Sequence, residues 1–382
     1  MKILIIRSYP SYMDVEKKTY NIQELGLAKA LVRKGHICDI VFWTNKEEKI
    51  VDIKFDDDKS VKVYYYKGKT FLKNSILNIP ESLLEQYDIL QIAEYNQIQS
   101  WIFAKKYPNK TIIYHGPYYS KFNWKYNLMC KIFDIFCLRR YKKYNTRFMT
   151  KSKLAEDFLL KKGIKKENIT CVGVGLDEDF LLNTDSKETP LSNQMEQDKE
   201  KLKLLYIGKI EKRRNTIFLI KLFNEVQKHI PDSRLYIVGN GKDKYMKKIY
   251  NLISKYNLKD KIYHENKIEQ KEISKIYKKS DIFLFPTNYD IFGMVLLEAL
   301  YFENIVISTL NGGSISLVKN DINGFIVNEL DVKRWTKVIL EISRKLIAYK
   351  TNMKKLENNN LLWDKIVENI TCMFKGKGEW YE

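Results

Sequence analysis

Along the first half of the chain, short apolar runs alternate with segments whose apolar residues recur every three or four positions. The runs Lys2–Arg7, Cys38–Trp43, Val61–Tyr66, Ile89–Ala93, Thr111–Tyr114, Arg147–Thr150 and Ile169–Val172 read as strands. Between the first two, Asn21–Lys34 places Ile22, Leu25, Ala28, Leu31 and Val32 on one face and reads as a helix. Continuous apolar runs, rather than strict alternation, mark strands buried on both faces. The expectation is a parallel sheet covered by helices on both sides.

Residues 183–201 (NTDSKETPLSNQMEQDKEK) are polar and charged and read as a domain linker. The pattern then restarts, with strands expected at Leu204–Ile207, Arg234–Val238, Lys261–His264, Ile282–Phe285 and Ile305–Ser308. The fold class is therefore α/β, with two facing Rossmann-like domains and an interdomain cleft at the carboxyl ends of their strands. The boundaries fall at 1–185 and 186–360. Beyond them, Leu361–Phe374 spaces Leu362, Ile366, Ile370 and Phe374 as a helix, so 361–382 is expected to pack back onto the first domain.

Composition narrows the setting. The chain has 382 residues and 45% apolar side chains, enough for two cores of ordinary size. Its opening apolar run is too short for a signal segment, and no stretch reaches the roughly 18 apolar residues of a membrane span. A soluble or peripheral protein is expected. Five scattered cysteines without a CxxC pair disfavour a disulfide scaffold or zinc site and point to a reducing cytoplasm. The net charge of +20 calls for an anionic partner: nucleic acid, anionic lipid or a phosphorylated substrate. The alternative is a lysine-rich background spread over the whole chain, and only the location of the charge decides.

The strongest local signal is Phe285–Thr309, FPTNYDIFGMVLLEALYFENIVIST. A buried strand ends at Pro286, a polar turn follows, and a helix begins near Gly293. The backbone N–H groups of 292–295 then lie at a helix N-terminus, suited to a phosphate or a sugar hydroxyl. Asp290 precedes that terminus, and Glu298 points back toward it from inside the helix. Both carboxylates can face one ligand. Equally, they can be an ordinary N-cap and an exposed glutamate.

This stretch resembles the E-x7-E motif of family 4 (group 1) glycosyltransferases, written P-S-x-x-E-x-F-G-x-x-x-x-E-A. Pro286, Phe292, Gly293, Glu298 and Ala299 are in register, with Asp290 in place of the first Glu. YIGKIEKRRN (206–215) is similar to G-R-L-x-x-x-K-G, with Gly208 matching, Lys209 for the Arg and Arg214 for the Lys. RLYIVGNG (234–241) matches a strand ending in G-x-G at Gly239 and Gly241. KIYHENKIEQ resembles the base-cradling segment, with Ile268 near the expected position. STLNGGSISLVKNDINGFIV keeps Gly312, Gly313 and Gly324, with Ser316 for a Glu. In the first domain, Leu27–Phe42, IIYHGP at Ile112–Pro117 and CVGVGLDEDF at Cys171–Phe180 carry weaker marks, so the resemblance spans nearly the whole chain.

The resemblance implies the GT-B architecture, with 1–185 on the acceptor side and 186–360 binding a nucleoside diphosphate sugar. It implies a retaining hexosyl transfer without a metal or other cofactor. Lys209 and Arg214 would stabilise the diphosphate, whose leaving oxygen develops charge. Glu298 would bind the ribose, and Asp290 with the backbone at Phe292–Gly293 would bind the donor sugar. Gly208, Gly239 and Ile268 would line the nucleotide. His115, at the end of a strand, is either a hydrogen-bonding group for donor or acceptor, or a packing residue.

Ser120–Phe148 concentrates positive charge. Trp124, Leu128, Ile132, Ile135 and Phe136 share a helical face, with Lys121, Lys125, Lys131, Arg139, Arg140, Lys142 and Lys143 around it. Such a helix lies in an anionic membrane interface, or covers the sheet with its apolar face. With many bacterial members of the resembled family acting on lipid-linked intermediates, the expected acceptor is a saccharide or lipid-linked saccharide, and the expected location is the inner face of the cell membrane. Two other readings compete. One is a sugar-nucleotide epimerase or phosphorylase of the same architecture. The other is a basic nucleic-acid-binding protein, suggested by charge and 26 tyrosines but lacking any nucleic-acid module.

Overall fold

The computed structural model describes residues 1–17, 21–71, 73–177, 179, 187–199, 201–356 and 358–375. The chain divides into two units, Met1–Asp177 with Asn360–Glu382, and Glu178–Asn359.

The first unit holds an eight-stranded sheet. In chain order its strands are β1 (Lys2–Arg7), β2 (Ile37–Trp43), β3 (Lys49–Phe55), β4 (Lys59–Tyr66), β7 (Ile89–Ala93), β8 (Thr111–His115), β9 (Arg147–Thr150) and β10 (Ile169–Cys171). β5 (Gly68–Phe71) and β6 (Asn74–Leu77) form a separate hairpin. The sheet order is β10-β9-β8-β7-β1-β2-β4-β3, parallel except for the antiparallel edge pair β3–β4. Ile3–Ile6, Ile40–Phe42, Leu90 and Ile92 are almost fully enclosed, as strands covered on both faces should be. The helices are α1 (Gln23–Arg33), α2 (Glu81–Glu85), α3 (Ile98–Lys106), α4 (Trp124–Lys143) and α5 (Lys153–Lys161).

Sequence pattern missed β3 and the β5–β6 hairpin. In β3 the burial alternates or is shallow, because it is an edge strand with one side in water. It lacks the apolar run that betrays its neighbours.

The second unit has a six-stranded parallel sheet, β13-β12-β11-β14-β15-β16. Its strands are β11 (Lys203–Ile207), β12 (Arg234–Val238), β13 (Ile262–Glu265), β14 (Ile282–Phe285), β15 (Ile305–Ser308) and β16 (Gly324–Ile326). The helices are α6 (Pro190–Gln197), α7 (Thr216–His229), α8 (Asp243–Lys255), α9 (Gln270–Lys278), α10 (Met294–Tyr301), α11 (Ser314–Leu317), α12 (Val332–Arg344) and α13 (Leu346–Lys355). The segment read as a linker, 183–201, lies partly outside the described residues, and its described part contains α6. Thr189 and Ser192 form a reciprocal N-terminal cap, Pro190 opens the first turn, and Leu191 and Met195, four residues apart, are buried.

The last helix, α14 (Trp363–Lys375), belongs to the first unit. Leu362, Trp363, Val367, Ile370 and Phe374 are buried. Arg33, the last residue of α1, and Lys34, just after it, pair with Asp364 and Glu368 at 3.1 and 2.8 Å. Apolar burial carries this contact, since exposed ion pairs contribute little.

Candidate active site

In each parallel sheet the chain leaves one central strand in opposite directions, and ligands bind beyond the carboxyl ends of the strands at that switch. In the second unit the switch lies between β11 and β14. The loop after β11 carries Gly208, Lys209 and Arg214; the loop after β14 carries Asp290, Phe292 and Gly293. The topology thus brings together the residues that the sequence motifs singled out.

The two loops are joined by hydrogen bonds. Asn215 Nδ2 donates to Pro286 O (2.7 Å) and Asn288 Oδ1 (2.8 Å), and Arg213 donates to Tyr289 O (2.6 Å). Arg214 Nη1 lies 2.6 Å from Asp290 Oδ2 and 3.4 Å from Thr287 Oγ1. The other carboxylate oxygen of Asp290 accepts from the Phe292 N–H at 3.3 Å. Lys209, in the same loop as Arg214, is exposed.

Two glycines permit close backbone approach. A Cβ on Gly239 would stand 2.0 Å from Gly208 O, and one on Gly313 would stand 1.8 Å from Phe292 O. Neither position tolerates a side chain without moving the loop. Asn311 locks the loop after β15, accepting from the N–H groups of Gly313 (3.1 Å) and Ser314 (3.0 Å). His264 reaches Gly239 O from β13 at 2.6 Å. Ile268, half-buried, sits in the loop between β13 and α9.

Glu298, inside α10, is 6% exposed rather than lying in solvent. Its carboxylate accepts from Tyr277 Oη (2.9 Å) and Gln270 Nε2 (3.2 Å), both neutral. Burial pushes its pKa up to about 7, against the pull of these two hydrogen bonds. Tyr277 and Gln270 were not singled out in the sequence. Their signal is positional, since both lie on α9, which follows the base-cradling segment.

In the first unit the structure changes the picture of His115. From the sequence it is either a hydrogen-bonding or a packing residue; its side chain is 0% exposed, against Phe158 (4.9 Å) and Tyr95 (5.9 Å). It closes β8, and α5 brings Phe158 over its ring. Its Nδ1 lies 3.1 Å from Glu94 Oε2, while Nε2 has no hydrogen-bond partner among the described residues. Burial lowers the pKa of His115 against the pull of Glu94. The side chains that reach the surface here are Glu94 and Lys151, 3.4 Å apart. Glu94 also accepts from the Gly116 N–H at 3.1 Å. Although burial alone would raise its pKa, Lys151, His115 and that N–H bring it down to about 2. Its backbone is left-handed, with φ 68°, a strained conformation for a glutamate. Sequence reasoning missed Glu94; a lone acid after a strand has no motif to mark it.

Helix α4 also departs from one of its two sequence readings. It buries only Cys130 and Tyr141. Trp124, Leu128, Ile132, Ile135 and Phe136 are 62, 51, 49, 75 and 73% exposed, so this face does not cover the sheet. The helix is held by its other side: Asp134 bonds Tyr95 Oη at 2.6 Å and pairs with the buried Lys162, and Arg140 stacks on Trp101. Lys121, Lys125, Lys131, Arg139, Lys142 and Lys143 are exposed around it. No helix among the described residues is long and apolar enough to cross a membrane.

Comparison with known proteins fits this geometry. The profile of the family described as glycosyl transferases group 1 matches residues 187–360. By this match, residues 187–360 form a group 1 glycosyl transferase segment. Among curated relatives, a sucrose synthase of Melioribacter roseus is 26% identical over 37% of this chain and 20% of its own length. An uncharacterised glycosyltransferase of Methanocaldococcus jannaschii is 25% identical over 47% of this chain and 46% of its own. The chain thus spans less than half the length of these relatives. Among solved structures, the Anabaena protein Alr3699/HepE, crystallised with UDP, superposes with a TM-score of 0.70. That match covers 98% of this chain and 99% of the other at 14% identity, and establishes the fold as GT-B, with two Rossmann-like domains.

Proposed function

We propose that this group 1 glycosyltransferase moves a hexose from a nucleoside diphosphate sugar to a hydroxyl of a saccharide or lipid-linked acceptor, with retention at the anomeric carbon. The observation that carries the reading is the convergence, at the β11–β14 switch point, of Lys209, Arg214, the α10 N-terminus and the buried Glu298.

In this reading Lys209 and Arg214 stabilise the diphosphate as its leaving oxygen gains charge, in a site whose loops are already cross-linked and need little reorganisation. These cations take the place a metal would occupy. Glu298 accepts hydrogen bonds from the ribose diol, Ile268 packs on the base, and Gly208 and Gly239 let the nucleotide approach the backbone. The backbone at Phe292–Gly293 meets the sugar. The departing phosphate oxygen takes the acceptor proton. His115, enclosed in its unit, touches no substrate and braces Glu94 instead. The exposed apolar face of α4, ringed by cations, rests on an anionic membrane from the cytoplasmic side, which supports a lipid-linked acceptor over a soluble one.

Calorimetric titration with UDP, GDP and their hexose conjugates tests the site. UDP comes first because the structurally similar Anabaena protein was crystallised with it. Glu298→Gln is expected to weaken nucleotide binding by about tenfold or more, the cost of a charge-assisted hydrogen bond. Full affinity of this variant for every nucleotide that binds the unsubstituted protein would remove the ribose assignment.

A further inference from the structure

The geometry points to Asp290 as a positioning residue for Arg214 rather than a ligand of the donor sugar. The inference rests on the reading of the site as a nucleotide-sugar pocket, and reassigns one of its two carboxylates.

Both oxygens of Asp290 are already engaged within the protein. One pairs with Arg214 Nη1 at 2.6 Å, and the other accepts the Phe292 N–H at 3.3 Å. The side chains of the pair are only 16% and 17% exposed. An aspartate bonded to a backbone N–H two residues ahead is pinned to its own turn. The carbonyl of the same residue accepts from Gly312 N at 3.3 Å, which ties that turn to the next loop. Asp290 is therefore a fixed point, one methylene shorter than a glutamate would be, with its carboxylate directed at the guanidinium.

Arg214 is correspondingly constrained. Nη1 is shared between Asp290 and Thr287, and the guanidinium lies 5.3 Å from the centre of the Phe285 ring. Its Nε is buried and has no hydrogen-bond partner among the described residues. A guanidinium held by one nitrogen presents its remaining N–H groups in a fixed fork, the arrangement that suits a diphosphate. The exposed Lys209 has no such brace among the described residues. The division of labour is then one oriented cation and one mobile cation on the same diphosphate.

Removing the carboxylate also removes a negative charge near the anion. Simple electrostatics predicts tighter nucleotide binding for the neutral variant, whereas positioning predicts weaker binding. The test is titration of UDP alone and of UDP-glucose with the unsubstituted protein, Asp290→Asn, Asp290→Glu, Arg214→Ala and the Asp290→Asn/Arg214→Ala double variant. Thermal unfolding of each variant checks the fold. Asp290→Asn is expected to lose about tenfold in affinity for UDP and for UDP-glucose alike. The double variant should bind no more weakly than Arg214→Ala alone, since the aspartate acts through the arginine. Asp290→Glu, with the charge kept but the reach changed, should fall between. Unchanged or tighter UDP binding by Asp290→Asn, or a loss confined to UDP-glucose, overturns the inference. Failure of the unsubstituted protein to bind UDP, GDP or their hexose conjugates overturns the reading of the pocket, and this inference with it.

Discussion

Two glutamates at the carboxyl ends of parallel sheets have opposite fates. Glu94 follows β7 in the first unit, and its charge is answered on the spot by Lys151, His115 and the Gly116 N–H, so its pKa lies near 2. Glu298 lies in α10 of the second unit and, among the described residues, its carboxylate meets only the hydroxyl of Tyr277 and the amide of Gln270, so burial carries its pKa to about 7. Both are mostly enclosed. What differs is whether the protein itself completes their hydrogen bonding. A carboxylate stabilised by its own domain belongs to the framework, whereas one left short of charge partners at a switch point is the candidate, in the function proposed above, for a ligand's hydroxyls.

The largest effect expected from this contrast is on the first glutamate. Its folded-state pKa lies below the ordinary 4.5, so its contribution to stability is complete above pH 4.5 and disappears as pH falls toward 2. The shift corresponds to about 3 kcal/mol. Glu94→Gln should therefore unfold at markedly lower denaturant at pH 7, with the gap to the unsubstituted protein closing below pH 3. Nucleotide affinity of the folded variant should not change. Equal stabilities at pH 7 would show that Lys151 and His115 are satisfied elsewhere.

Glu298→Gln should go the other way. A carboxyl whose folded pKa is raised stabilises the protein fully below pH 4.5, and loses that contribution as pH climbs through 7. At pH 8 the ionised, buried group costs up to about 3 kcal/mol, which the glutamine does not incur. The variant should be more stable than the unsubstituted protein at pH 8 while binding nucleotide less well. That trade of stability for function is the signature of a ligand-binding group. Urea denaturation at pH 5 and pH 8 measures it, and a variant that is less stable at both would place Glu298 in the framework beside Glu94.

How far this contrast is legible in the sequence depends on what each residue answers to. Lys209 with Arg214, and Asp290 with Glu298, lie in two motifs whose internal spacing is readable in the linear chain. The central strands are equally visible, since burial on both faces demands runs such as ILII at 3–6 and IFLF at 282–285. Glu94 is invisible because its partners come from β8 and the residue after β9, 21 and 57 positions away. His115 stands at a strand end in either view; only the packing of Phe158 and Tyr95 decides that its ring is enclosed. The edge strand β3 and helix α6 look polar because each owes the solvent one side. In α4 the apolar stripe is plain, but which way it faces is settled by Asp134, Tyr141 and Arg140 on the opposite side of the helix.

That last helix extends the comparison to the surface. Its outer apolar side chains are exposed, unlike Glu94, which is held by internal partners, and Glu298, which is enclosed. Substituting them should therefore cost the fold almost nothing. We expect Ile135→Asp with Phe136→Asp, at positions 75 and 73% exposed, to change unfolding free energy by less than about 0.5 kcal/mol. The same pair should abolish sedimentation with phosphatidylglycerol vesicles, because each apolar side chain removed from the interface takes burial energy with it and each new carboxylate is repelled by the lipid. Neutral vesicles should retain little of the unsubstituted protein, since the cations flanking the stripe lose their counterpart. If the double variant still sediments with anionic vesicles, α4 is not the membrane contact. If instead it unfolds several kcal/mol more easily, the stripe is a packed face after all and belongs with the internally satisfied groups.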